Sequence, residues 1–125
     1  MSDSKTLIDF VREELERIER ERRERLGGEI LRINVGDMVV VEVDANVVFK
    51  RVNTRFGERV VIPVRCEGES KVLMLNPSGR LYRLILQEIL NASRKVKNHS
   101  KVSKYVVTIH RVTKFEYHVS VVPVT

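Results

Sequence analysis

Apolar positions near the start of the chain recur at helical spacing. Ile8, Val11, Leu15 and Ile18 follow a 3-4-3 pattern, and Leu7 and Leu26 widen that stripe at its ends. Ser4 is a cap residue placed to start a helix over residues 4–26, and Gly27-Gly28 stops it. Arg22 and Arg25 occupy the next seam positions, and "EELERIERERRER" is laced with i,i+4 Glu/Arg pairs. So narrow a stripe has two uses. It packs on its own domain, or it pairs with a copy of itself as a short coiled coil.

After Gly28 the period changes to two and β-branched residues dominate. Residues 30–35 read as a short lead-in strand, and Gly36-Asp37 as a turn. A long strand run covers 38–53, with its alternation slipping near Ala45-Asn46, which predicts a bulge or bend. "TRFGER" turns the chain, with Gly57 free to take positive φ. Residues 59–66 then alternate, with Val60, Ile62, Val64 and Cys66 on one face and Arg59, Val61, Pro63 and Arg65 on the other. After "EGES", residues 71–75 form a third strand. Asn76 or Ser78 starts a helix whose apolar face is Leu81, Leu84, Ile85 and Ile89, with Arg94, Lys95 and Lys97 at its C-terminal end. Strands at 102–113 and 116–124 close the chain around a tight turn near Lys114-Phe115.

The order is helix, then β-β-β-α-β-β. Five antiparallel strands with a helix between the third and fourth is the order of an OB-fold barrel, and a long bent first strand is what closes one. The expectation is a mainly β fold with added helices. Residues 1–28 form an amphipathic N-terminal helix, and 29–125 form a five-stranded antiparallel OB barrel carrying a helix between strands three and four.

Composition narrows the partners. The chain has 125 residues, 42% apolar and 32% charged, which fits one core. Abundant Glu, Arg and Lys with a single Gln gives a thermophile-like profile. The net charge of +6 is uneven: residues 1–29 sum to −2 and residues 30–125 to +8. A basic body favours polyanions, nucleic acid first and an anionic membrane surface second. The single Cys66 excludes an internal disulfide and a multi-cysteine zinc site. No basic-then-apolar leader and no membrane-length apolar run occurs, so a soluble, cytoplasmic protein is expected.

The stretch "FKRVNTRFGERVVIPV" resembles the first hairpin of single-stranded-DNA-binding OB domains of the replication-protein-A type, which run strand, "T-[KR]-[FY]-G", charged residue, strand. The resemblance spans roughly residues 36–124. It implies binding of single-stranded nucleic acid, DNA favoured over RNA, in the setting of DNA replication and repair, with no cofactor and no membrane. The charged N-terminal helix and the absence of zinc-ribbon cysteines depart from that family.

Such a binder needs cations along the phosphates and aromatic faces for unpaired bases. Here the cations are Lys50, Arg51, Arg55, Arg59, Arg65 and Lys71, with Lys104, Arg111 and Lys114 from the last hairpin. The aromatics are Phe49, Phe56, Tyr105, Phe115 and Tyr117. Phe49 is core or platform depending on where the long strand bends. Phe56 sits in a turn, where a ring has little packing reason to be. Enzyme signatures are missing: the chain has no GxxxxGK[ST], GxGxxG or Gly-x-Ser-x-Gly motif, and no tight acidic cluster. Cys66 reads as a core thiol. His110 and His118 fall opposite each other if the last hairpin turns about Lys114; two histidines without a third ligand do not make a metal site. The expected function is non-catalytic binding of single-stranded DNA. The alternatives are an RNA-binding OB domain and an assembly module. In the latter, residues 4–26 dock a protein partner or a second copy.

Overall fold

The computed structural model describes residues 6–97 and 101–125. Helix α1 spans Leu7–Leu26. Its expected cap, Ser4, lies outside the described residues. Thr6 is the N-cap: its Oγ1 accepts from the Asp9 amide at 3.2 Å and donates to the Asp9 carboxylate at 2.9 Å. At the other end Gly27 takes φ 84°, and the amides of Gly27 and Gly28 both reach the Arg23 carbonyl at 2.9 Å.

Among the described residues seven strands follow: β1 (Glu29–Ile30), β2 (Met38–Asp44), β3 (Lys50–Thr54), β4 (Gly57–Cys66), β5 (Glu69–Leu75), β6 (Lys104–Arg111) and β7 (Tyr117–Val124), with helix α2 (Arg80–Arg94) between β5 and β6. The long first strand of the sequence reading is β2 plus β3. It breaks where the alternation slips, because Asp44 Oδ1 accepts from the Asn46 amide at 2.8 Å and the Val47 amide reaches the Asp44 carbonyl at 3.1 Å. The start of α2 differs from expectation. Neither Asn76 nor Ser78 caps it; Asn76 Oδ1 instead accepts from the Ser78 amide and hydroxyl in a local turn, and Gly79 is the cap position without a side-chain hydrogen bond.

Among the described residues the fold is mainly β with two helices, and its sheet is open. The hydrogen-bonded path is β1-β5-β4-β2-β6-β7, with β3 paired to β4 off the path. All pairs are antiparallel except β1 with β5. A five-stranded closed barrel is therefore not what the pairing gives, because no ladder joins β5 to β7 among the described residues. Residues 29–37 form a strap that takes the β5 edge of that seam. β1 lies against β5, the Leu31 amide reaches the Val72 carbonyl at 2.8 Å, and Gly36 and Asp37 exchange backbone hydrogen bonds with Arg111 on β6 at 2.7 and 3.0 Å.

Two apolar clusters follow from the alternation. The main core joins Val41 and Val43, Val60, Ile62 and Val64, Leu73 and Leu75, and Val107 and Ile109 beneath Ile85 of α2. The opposite face of β4 and β5 supplies the second, where Val61 and Val72 are buried under Leu26, the last residue of α1. The rest of the α1 stripe is uncovered: Leu7, Ile8, Val11, Leu15 and Ile18 are all exposed, as is Phe10 beside it. The helix thus does not pack its seam on its own domain. No described helix is long and apolar enough to cross a membrane.

Candidate nucleic-acid interface

The residues singled out in the sequence fall into three places. The first is the β3–β4 hairpin. Thr54 pairs with Gly57, so Arg55 and Phe56 alone form the loop. Thr54 Oγ1 holds it by donating to the Gly57 carbonyl at 2.7 Å and accepting from the Phe56 amide at 3.2 Å, while Gly57 takes φ 106°. This staple leaves the Phe56 ring 77% exposed, with the Arg55 guanidinium 5.5 Å from its centroid. Lys50 is exposed on the same hairpin. Arg51 is ion-paired to Glu58; that hydrogen bond, and then the carboxylate charge, hold the guanidinium above its ordinary range. Arg51 is thus always cationic but already neutralised. Arg59 donates to the Glu58 carbonyl at 2.8 Å. Phe49 is half-buried and packs against the main core.

The second place is a groove of about 530 Å³ in which Arg65, Lys71 and Lys104 converge, with Glu42, Asp44 and Ser103 on its walls. Two of the three cations have partners. Lys104 meets Glu42 at 2.9 Å, and Lys71 lies 3.4 Å from Glu29 and 3.7 Å from Glu69. Arg65 is exposed and has no ion pair among the described residues. Arg59 and Arg65 share the outer face of β4, as the alternation predicts. Six residues at about 3.3 Å each set them roughly 20 Å apart, and Val61, buried under Leu26, lies between them. They do not form one patch.

The third place is the seam where β5 ends, α2 begins and the β6–β7 hairpin turns. A cleft of about 330 Å³ there is lined by Asn76, Arg80, Tyr82, Lys114, Phe115 and Tyr117, together with Leu31, Ile33 and Leu75. Phe115 is 72% exposed, with the Lys114 ammonium 5.4 Å from its centroid. Its turn is held as the first one is, by a threonine: Thr113 Oγ1 accepts from the amides of Phe115 and Glu116 at 3.4 and 3.1 Å. Arg111 is not a free cation. It donates to the carbonyls of Ile33 at 2.8 Å and Lys114 at 3.1 Å, and its guanidinium sits 5.5 Å from the Tyr117 centroid. Tyr117 is partly buried against the core. Tyr105 is half-buried between Val43 and Pro123 in register. Both tyrosines therefore lie on the core side of the sheet.

Tyr82 and Arg80 were not anticipated. They join this cleft only because the first turn of α2 lands beside the open seam, and nothing local in "NPSGRLYR" announces that placement. His110 and His118 do face each other, with ring centroids 6.1 Å apart and nearly perpendicular planes. No three His, Cys, Asp or Glu side chains gather as metal ligands would among the described residues. Cys66 is a free, partly buried thiol packed beside the core.

No protein-family model, no curated protein and no solved structure matches this chain.

Proposed function

We propose that this protein binds single-stranded nucleic acid, DNA in preference to RNA, and performs no chemistry on it. The observation that carries the reading is a repeated device. Each of two hairpin tips presents a solvent-exposed phenylalanine with a cation over its ring, Arg55–Phe56 on one and Lys114–Phe115 on the other. Exposed rings with neighbouring cations are what base stacking and phosphate contact need together. The seam cleft adds Arg80, Tyr82 and the free first turn of α2, whose dipole is positive at that end. Strand order supports an OB-type reading. β2 bridges β4 and β6, α2 separates β5 from β6, and the strap takes the β5 edge that a closed barrel would pair with β7. A strand lying between the first and last hairpins is the mode such a sheet offers. A role in replication or repair belongs to the same proposal.

The deciding experiment is fluorescence anisotropy with labelled oligo-dT across a salt series, in competition with matched single-stranded RNA and duplex DNA. Binding is expected at low salt, with log affinity falling by roughly 0.7 per phosphate neutralised for each decade of salt. Absence of binding at low salt, or affinity indifferent to salt, overturns the proposal. Preference for RNA moves it to the RNA-binding reading.

A further inference from the structure

Among the described residues, two faces carry exposed apolar side chains with no cover. One is the α1 stripe. Ile8, Val11, Leu15 and Ile18 are 59%, 42%, 59% and 52% exposed. The helix is held to its own sheet at its C-terminal end. Leu26 is locked under the second cluster, and the Gly27-Gly28 turn leads straight into β1. The other is the outer face of β2, β6 and β7. Register puts Met38, His110 and His118 in one row across it, then Val40, Thr108 and Ser120, then Glu42, Val106 and Val122. Met38, Val40 and Val122 are exposed by 63%, 50% and 60%, and α2 packs on the opposite, core side. Thr108 and Ser120 keep the middle of this face shallow, as a helix lying on it requires.

We infer that α1 of each copy lies across the outer β2–β6–β7 face of a second copy, so that the protein is a reciprocal, helix-exchanged dimer. Charge agrees. Glu14, Glu19 and Glu21 flank the stripe against a single Arg12, Glu14 and Glu19 being paired along the helix with Arg17 and Arg22; at the acceptor face Lys104 is held by Glu42, and Arg65 on its border is the cation without an ion pair among the described residues. The wider balance has the same sign, −2 over residues 1–29 and +8 over the rest. A parallel pair of α1 helices instead sets Glu14 against Glu19 of the other helix at flanking positions and Arg22 against Arg22 in the seam. Reciprocal docking also closes. Both helices and both faces are used, and no unfilled half remains to propagate a chain of copies. The inference stands apart from the nucleic-acid reading, and it is tested without nucleic acid.

Sedimentation velocity over a concentration series is expected to give a dimer for the native chain and monomers for both Leu15→Glu and Val122→Glu. Both positions are exposed within one copy, so circular dichroism should report an unchanged fold. In a Cys66→Ala background, mixing Leu15→Cys with Val122→Cys and oxidising mildly should link the two variants to each other. A native monomer overturns the inference. So does a Val122→Glu protein that stays dimeric while Leu15→Glu does not. Disulfides formed only between two Leu15→Cys copies also overturn it, and assign a helix–helix pair instead.

Discussion

Phe56 and Phe115 are hairpin-tip rings that packing does not explain, and their exposure makes them clean to test. Replacing either with Ala removes little from the folded state. Under the stacking reading each costs about 1–3 kcal/mol of binding, roughly 5- to 150-fold in Kd by anisotropy, with no change in melting temperature. Glu58 tests the opposite sign. It neutralises Arg51, so Glu58→Ala is expected to tighten binding at low salt and steepen the salt slope by roughly 0.7. At this scale the sequence was half legible. Phe56 stood out because a turn gives a ring no packing partner, and Phe115 carries the same signal. Phe49, Tyr105 and Tyr117 could not be sorted, because their faces depend on where the long strand breaks and on how β6 registers with β2. Nor could the occupancy of cations be read. Which carboxylate meets Lys71 or Lys104 is a matter of tertiary contact, Glu29 and Glu42 being remote from them in sequence.

Among elements, helices, strands and turns were readable where period and punctuation agreed. The 3-4-3 stripe became α1, the alternation over 59–66 became β4, and the slip at Ala45-Asn46 became the turn between β2 and β3. The closure of the sheet was not readable. Strand order alone does not say whether β5 and β7 pair or leave a seam, and here the strap competes for the β5 edge. The two helices hold on in different ways. α2 buries Ile85 in the main core, so Ile85→Ala is expected to cost about 2–5 kcal/mol by urea denaturation. α1 is anchored through Leu26 in the small second cluster, so Leu26→Ala should fall at the lower end of that range, about 2 kcal/mol. It should also speed proteolysis within α1, where cleavage follows local opening.

For the molecule as a whole, charge and topology set behaviour that no single residue does. A body of +8 beside a segment of −2 makes encounter with a polyanion fast at low ionic strength and steeply slower as salt rises. Stopped-flow association with oligo-dT should show that dependence in the on-rate. The strap has a further consequence. It binds β5 through Leu31 and β6 through Gly36 and Asp37, and β2 beside it takes its longest pairing from β6. The N-terminal third of the sheet therefore waits for residues near the C-terminus before its ladders can form. On the ribosome, β2 emerges with half of its hydrogen-bonding edge unmet until Arg111 is free. Contacts this distant in sequence place folding at the slow, millisecond-to-second end of small domains, and they lengthen the time for which unpaired strand edges of the nascent chain are open to aggregation.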